Sequence, residues 1–507
     1  DASIRADVVC ATWNGGLGGI GCRLTAAEGR VVAFQAGGSL EGFRVRQQAP
    51  ITSNGGCVRA DGADLTLVDV EMEGCSAGNG GALYAAQAVP LVTLERVTIT
   101  GAEGLDGGAI SLQAGVDLVA TELTVTGTTS ARGALHARAS NSVQLTDVVF
   151  EDDTASLGQG GAIWIADGDL LVSGGLFVGN VADHGGAVHA MDTDLGFVST
   201  LFSDNEPNAD PAMGGELGGA VYVEGGSLVD IAGVYQLNEA EQGGAIYGYL
   251  ADIDLQGTTL EDNTSNVNGA MALFGGRIEL TDVVFSANTG VAGSTAALYT
   301  ESLDNGSFLA DVQIVGNSTT GWAAKLRSAT GATVEVDRIV VQNPASGNGI
   351  DNTQGVFRYR NALVTGHADV GIGMLLVGGD SALELESCTI AANGGNGVQY
   401  LANGDGQLVF RNSIIADNGG LGISEVLSGP GVETHSYAYT SVWGNGNGAV
   451  GAAPVSVDGM FDEVDPQFVG PGSWQRSIHD DGDPLLPNPG STTSERGAYG
   501  GPTPLLP

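Results

Sequence analysis

The chain has 507 residues, of which 83 are glycine, 59 are Asp or Glu and only 18 are Lys or Arg, so its formal net charge is −41. A nucleic-acid partner needs a basic face, and docking on an anionic membrane needs basic clusters, so this shortage of bases argues against both. No run reaches the roughly 18–20 apolar residues of a membrane helix, and we expect no membrane insertion of this chain.

Four of the five cysteines lie near the start of the chain. Cys10 and Cys22 belong to an N-terminal segment of residues 1–50, and Cys57 and Cys75 follow it. Two disulfides among these four suit an oxidising compartment, with reduced structural cysteines as the alternative. The abrupt start at Asp1 is typical of a processed chain. We therefore expect an extracellular or bacterial cell-surface protein after removal of a signal peptide.

A six-residue motif recurs from residue 79 onward at a spacing of about 25 residues. Its clear copies are NGGALY (79–84), DGGAIS (106–111), QGGAIW (159–164), HGGAVH (184–189), LGGAVY (217–222) and QGGAIY (242–247). Weaker copies are RGALH at 132, NGAMA at 268 and TAALY at 295. A unit this short cannot bury a core alone, so it must stack on its neighbours.

A second element follows each copy of the first. Examples are LTDVVFEDD (145–153), SGGLFVGN (173–180), LTDVVFSAN (280–288) and LESCTIAAN (385–393). Asparagine often closes this element, at Asn180, Asn205, Asn238, Asn263, Asn288, Asn317, Asn393 and Asn418. Short runs with β-strand alternation, separated by Gly, Asn and Asp turns and lacking any helical period, indicate strands only.

These repeats predict an all-β fold, a single right-handed parallel β-helix of about 25 residues per coil over residues 51–440. The segments 1–50 and 441–507 are predicted to cap its ends, because a solenoid end exposes unpaired strand edges. The interval between Ala187 and Ala220 is longer than the others. Residues 203–218 are therefore expected to loop out of their coil.

Side chains alternate across a strand, which allows each coil to be phased. The residue after the motif alanine is aliphatic in every copy, so we assign it to the interior. The next residue must then face outward, and it is most often aromatic or histidine. This position predicts an outward column that binds a glycan or a protein partner, formed by Tyr84, His136, Trp164, His189, Tyr222, Tyr247 and Tyr299. The alternative is that overlying loops cover the column, or that its rings only stack along the helix and stabilise the wall.

The stretch HGGAVHAMDTD (184–194) has the residue types of a metal site, but its histidines follow the repeat. His189 is a member of the outward column, and His184 occupies a variable turn position. We therefore predict no metal there. Cys388 occupies an inward position of its repeat and is predicted to be a buried free thiol.

The alternating GGA-[IV] and F-x-x-N elements resemble the repeats of chlamydial polymorphic outer-membrane proteins. The end of the chain, VDPQFVGPGSWQ (464–475) and the segment after it, resembles the end of bacterial secreted right-handed parallel β-helix repeat proteins. The resemblance covers most of the chain and implies this fold and export. It says little about activity, since one fold hosts many functions.

Parallel β-helices also include polysaccharide lyases and glycoside hydrolases, so an enzyme is the main alternative. One lysine and scattered arginines give no basic cluster, and most carboxylates, such as those in EDD (151–153), lie in turns. No cofactor is expected. Structural calcium at acidic turns such as HDDGD (479–483) stays open.

The sequence thus predicts a structural or adhesive surface module that binds a glycan, a protein or other copies of itself. A lyase or hydrolase with a carboxylate site on the β-helix wall is the alternative.

Overall fold

The computed structural model describes residues 2–4, 8–9, 22–139, 141–208, 215–291, 293–343, 347–377, 381–403, 406–427, 433–450, 456–457 and 461–462. The chain divides into two compact units, residues 1–252 and 253–507. Every regular element in the described residues is a β-strand, and the strand pairings recorded there are parallel. No helix in the described part could cross a membrane.

Each coil is built from up to four strands in chain order, which we call its first, second, third and fourth strands. Strands of one kind pair with the same kind in the next coil. In the second strand Leu91–Glu95, Val92 and Leu94 point inward and are buried, while Thr93 and Glu95 face outward. Arg96 then adopts a left-handed conformation (φ 53°), and the chain turns into the third strand. Alternation within strands and a one-residue bend between them therefore shape the coil.

The glycine pair of the repeated motif makes the turn into the first strand. Gly160 has φ 57°, and a Cβ there would lie 2.1 Å from the Ile163 carbonyl oxygen. A Cβ on Gly161 would lie 2.4 Å from the Gly186 carbonyl oxygen of the next coil. Both positions require glycine, because the first needs a left-handed backbone and the second a close approach between coils.

In the first unit, the first strands are Ala2–Ile4, Val32–Phe34, Val58–Ala60, Leu83–Ala85, Ile110–Leu112, Leu135–Arg138, Ile163–Ala166 and Ile246–Tyr249. The second strands are Val8–Val9, Gly38–Glu41, Leu65–Val68, Leu91–Glu95, Asp117–Thr121, Ser142–Thr146 and Asp169–Ser173. First and second strands are continuous in Val188–Val198 and Val221–Ile231. The third strands are Cys22–Ala26, Phe43–Gln47, Glu71–Glu73, Thr98–Thr100, Thr124–Thr126, Val149–Glu151, Leu176–Val178, Leu201–Ser203 and Val234–Gln236. The fourth strands are Glu103–Asp106, Thr129–Arg132, Thr154–Gln159 and Glu239–Gln242.

In the second unit, the first strands are Met271–Gly276, Thr295–Leu303, Trp322–Ser328, Asn348–Thr353, Ile372–Val377, Val398–Asn403 and Ile423–Leu427. The second strands are Asp252–Gln256 (which begins at the last residue of the first unit), Ile278–Thr281, Ser307–Ala310, Thr333–Asp337, Val356–Arg360, Ser381–Glu386, Gly406–Arg411, Glu433–Ala438 and Ser456–Val457. The third strands are Thr259–Glu261, Val284–Ser286, Gln313–Val315, Val340–Gln342, Leu363–Thr365, Thr389–Ala391, Ile414–Ala416, Thr440–Trp443 and Phe461–Asp462. The fourth strands are Thr264–Val267 and Thr289–Gly290.

The predicted all-β parallel β-helix is therefore confirmed. Strands within residues 1–50 already pair in the registers used by later coils, with Val32–Phe34 on Val58–Ala60 and Phe43–Gln47 on Glu71–Glu73. The structure thus shows no break in the coils at residue 50. Most of the predicted C-terminal cap, and residues 209–214 of the predicted insertion, lie outside the described residues.

The interior of the first unit contains a stack of aromatic rings on successive third strands. Phe150, Phe177, Phe202 and Tyr235 lie 4.8–5.3 Å apart by ring centroid, with interplanar angles of 1–12°. All four are fully buried. Like residues at the coil repeat distance stack face to face, so the repeat itself supplies the packing of the core.

A ladder of buried asparagine side chains runs beside this stack. Asn180, Asn205 and Asn238 follow the third strands of consecutive coils, each directly after a left-handed residue or glycine. The Asn180 amide nitrogen donates to Asn205 Oδ1 at 3.0 Å, and that of Asn205 donates to Asn238 Oδ1 at 2.9 Å. The second unit has the same arrangement, from Asn263 through Asn288 to Asn317. Each ladder amide satisfies backbone groups that the turn leaves without a strand partner.

Candidate functional site

The first strands carry the column that the sequence predicts to face outward. The preceding residues, such as Leu83, Ile163 and Val221, are fully buried in the interior, as predicted. The column residues pair across coils in a single register, which in the first unit joins Tyr84, Ser111, His136, Trp164, His189, Tyr222 and Tyr247. These side chains therefore lie in one line on the outer side of the strand, as the phasing of the sequence predicts.

Five consecutive members of this column stack on one another. The ring centroids of His136 and Trp164 are 4.5 Å apart, those of Trp164 and His189 6.5 Å, and those of His189 and Tyr222 4.7 Å. Tyr247 continues the stack at 5.5 Å from Tyr222, and all interplanar angles are 7° or less. The faces of the internal rings are therefore occupied by neighbouring rings.

The predicted exposure of the column is wrong, because its aromatic and histidine side chains are only 1–8% exposed. Part of the cover comes from two residues that directly precede the turn glycine of their repeats, Arg132 and His184. The Arg132 guanidinium lies 5.6 Å from the Trp164 ring, and the His184 ring lies 6.2 Å from His189 and 5.2 Å from Tyr222. The column is thus an inner layer of the wall, and a sugar has no free ring face to stack on. Partner binding at its outer edges stays a prediction.

The histidines of the column are held neutral. Burial lowers the pKa of His136 to about 4 and that of His189 to about 3, since a charged imidazole would lose its hydration there. A His184 ring nitrogen lies 3.2 Å from the Gly215 carbonyl oxygen. Among the described residues, no group of three or more His, Cys, Asp or Glu side chains is arranged to hold a metal ion.

Replacing Tyr222 with leucine is expected to lower the free energy of unfolding by about 2 kcal/mol. The variant loses three stacked ring contacts, each worth about 0.5–1.5 kcal/mol, and the hydrogen bond that the Tyr222 hydroxyl donates to Glu224 at 3.0 Å, while leucine keeps part of the apolar burial. Urea denaturation followed by circular dichroism measures the change. The matched control is Tyr249→Leu, whose ring is 42% exposed and which should change stability by less than about 0.5 kcal/mol. Equal effects at the two tyrosines would show that the stack adds no stability.

The column changes character in the second unit. Its register there joins Ala272, Tyr299, Lys325, Asp351 and Gly373. The Tyr299 hydroxyl donates to Glu301 at 2.6 Å, and the Arg327 guanidinium lies 5.5 Å from the Tyr299 ring centroid. Aromatic stacking therefore gives way to a group of ionisable side chains, which the sequence did not identify because the repeat motif is degenerate after residue 299.

The cysteines fall into two kinds. Cys57 and Cys75 form a disulfide with Cα atoms 5.5 Å apart, and Cys22 is also disulfide-bonded. Cys10 lies outside the described residues. Cys388 is free and fully buried, as predicted, and burial raises the pKa of its thiol to about 12. A thiol so reluctant to ionise is not a nucleophile.

Not all of the carboxylates in turns are exposed to solvent. In the segment 151–153, Glu151 and Asp152 are exposed, but Asp153 is fully buried and stands at the head of the asparagine ladder. The Thr128 backbone nitrogen donates to Asp153 Oδ1 at 2.8 Å, while Asp153 Oδ2 has no hydrogen-bond partner among the described residues. Burial raises the pKa of Asp153 to about 7. Its place within the ladder indicates a structural role.

No protein-family model matches the chain. It is 30% identical over 119 residues to "Probable autotransporter YfaL" of Escherichia coli (strain K12), a match that covers 20% of this chain and 9% of that protein. The chain thus spans less than a tenth of this relative. The crystal structure of the periplasmic alginate epimerase AlgG is similar at 10% identity with a TM-score of 0.31, covering 77% of this chain and 76% of that one. A double mutant of that epimerase gives the same TM-score. Likeness at this level carries no argument about activity.

Proposed function

We propose that the chain is part of an exported β-helix protein that presents its outer wall at the bacterial cell surface as a structural or adhesive module. The observation that supports this most is that the outward column of the first unit stabilises the wall. In the first unit, the position where a solenoid could offer binding groups is filled by stacked and covered rings, which stabilise the wall. The Cys57–Cys75 disulfide is typical of proteins that fold in an oxidising compartment.

The local similarity to a probable autotransporter supports the export part of this proposal. The likeness of the GGA repeats to those of chlamydial polymorphic outer-membrane proteins has the same implication. The partner of the wall is a glycan, a protein or a further copy of this chain. Polysaccharide lyase or hydrolase activity is the competing function.

Antibodies raised against the purified chain test the proposed location. We expect them to label intact, unpermeabilised cells of the source organism, and labelling seen only after permeabilisation would contradict surface display.

Incubation of the purified chain with neutral and anionic polysaccharides tests the competing function. Release of reducing ends or unsaturated uronates at an enzymatic rate would show that the chain is an enzyme.

A further inference from the structure

Lys325 is the only lysine of the chain, and its surroundings differ from those of two nearby arginines, Arg338 and Arg358. In the second unit, Arg338 is held by Asp311 at 2.7 Å, and Arg358 by Glu335 and Glu384 at 3.1 Å each. Lys325 instead sits in the outward column between Tyr299 and Asp351, where strand register places its neighbours one coil away on either side. Burial lowers the pKa of its ammonium group, and Asp351 opposes this shift.

Trp322 extends across the same face of the sheet. A Cβ on Gly373 would lie 2.6 Å from Trp322 Cη2 and 3.3 Å from Asp351 Oδ1. The edge of the indole and the Asp351 carboxylate therefore meet over Gly373, a position that only glycine leaves open. Trp322, Lys325 and Asp351 are all partly exposed. Unlike the covered rings of the first unit, this aromatic side chain is accessible beside polar groups.

The charges of this face balance. Lys325 and Arg327 are cations, and Glu301 and Asp351 are carboxylates, so the four groups sum to zero in a chain whose net charge is −41. Glu301 is engaged by the Tyr299 hydroxyl at 2.6 Å and by Arg327 at 3.9 Å. Lys325 and Asp351 thus remain as a donor and an acceptor beside the indole. Burial also raises the pKa of Asp351, as expected for a carboxylate that has lost part of its hydration.

We propose that Trp322, Lys325 and Asp351 form a binding site for a neutral pyranose residue of a glycan. The indole packs against the C–H face of the sugar ring, Lys325 donates to a ring hydroxyl, and Asp351 accepts from another. A few placed polar groups beside an aromatic surface are the usual composition of a small-ligand site. An acidic sugar fits less well, because the local charge is balanced and the chain as a whole repels anions. This site rests on the proposed surface module, which would display it to glycans, and it identifies a neutral glycan as the partner of that module.

The test uses the purified chain and neutral hexaoses of glucose and mannose, with oligogalacturonate as the acidic comparison. Tryptophan fluorescence and calorimetry report binding. We expect at least one neutral hexaose to bind, Trp322→Ala to weaken that binding tenfold or more, and Lys325→Gln to weaken it at least fivefold. The matched control is Trp443→Ala, because Trp443 is an exposed tryptophan (37%) of another coil and its loss should change affinity less than twofold.

A second variant distinguishes the loss of the indole–sugar contact from the loss of the folded structure. Gly373→Ala leaves Trp322 in the chain but places a methyl group where the indole edge lies, so it should weaken binding while circular dichroism stays unchanged. Absence of binding by every neutral hexaose, binding of oligogalacturonate alone, or full affinity in Trp322→Ala would each overturn the site. None of these results bears on surface display, which the cell-labelling experiment tests separately.

Discussion

Replacing Asn205 with alanine is expected to lower the free energy of unfolding by about 4 kcal/mol, the largest effect of any change we propose. Asn205 Oδ1 accepts from the backbone nitrogen of Asn180 at 3.1 Å and from its amide nitrogen at 3.0 Å. Asn205 Nδ2 donates to the Phe177 carbonyl at 3.0 Å and to Asn238 Oδ1 at 2.9 Å. Each buried group left without a partner costs about 1–3 kcal/mol, and the side chain also leaves a cavity.

Urea denaturation gives the size of this loss, and hydrogen exchange locates it. Because each coil contacts mainly its neighbours, lost protection should concentrate between the third strands Val149–Glu151 and Val234–Gln236. Asn79→Ala is the control, since the partly exposed Asn79 accepts a hydrogen bond from the Asp106 nitrogen at 3.2 Å and should contribute less than about 1 kcal/mol. A loss at Asn205 no larger than at Asn79 would contradict a structural role for the ladder.

The sequence predicts the fold because the repeat requires particular backbone geometry. The GGA motif marks a turn in which both glycines lack room for a Cβ, as Gly160 and Gly161 show. The residue after the alanine is aliphatic in every copy, and strand alternation puts all of these residues on the same, inward side. The left-handed glycine and the alternation are local to one coil, whereas the second glycine reflects contact with the next coil and is visible because the motif repeats.

The exposure of the outward column could not be predicted in the same way. Alternation tells which side of a strand a residue occupies, but not what lies beyond that side. Arg132 and His184, each directly before the turn glycine of its repeat, reach over Trp164 and Tyr222 of following coils. Their contacts join different coils and depend on the path of the turn. In the sequence, the variable residue before the turn glycine is the signal of this cover.

The sequence shows that asparagine recurs at the ladder positions, but it does not show that these side chains are buried. Asparagine is common in turns, so its repetition alone favours a solvated role. The left-handed residues that precede it, such as Asp204 (φ 56°) and Leu237 (φ 57°), turn the following side chain into the interior. The same turn carries Asp153 inward, where a carboxylate replaces the amide of later coils.

Replacing Asp153 with asparagine is expected to raise the free energy of unfolding by about 2–4 kcal/mol at pH 8 and to change it little at pH 4. Burial is the main cause of the raised pKa of about 7, and the neighbouring carboxylates Asp152 and Glu151 add to it, while the hydrogen bond from the Thr128 nitrogen opposes it. Each unit of pKa shift corresponds to about 1.4 kcal/mol. Asparagine carries no charge and offers an amide that can donate to Asn180 Oδ1, as the ladder residues of later coils do.

The sign of the pH dependence follows from the two protonation states. An unfolded Asp loses its proton near pH 4, whereas folded Asp153 keeps it until about pH 7. Between these values the folded state binds one proton more, so the stability of the parent chain falls as the pH rises and levels off above pH 7. The buried His136 and His189 act in the opposite direction, since their lowered pKa values make stability fall as the pH drops below about 6.5.

Because parent and variant share these histidines, the informative quantity is the difference in unfolding free energy between them at each pH. This difference should grow from pH 4 to pH 7 and then stay constant. Asp152→Asn is the matched control, because Asp152 is exposed, adopts φ 56° and tolerates asparagine. Its difference from the parent should be small at every pH. A difference for Asp153→Asn that does not vary with pH would mean that the carboxylate has the same charge in the folded and unfolded chains, and the ladder would then accept an ionised member without cost.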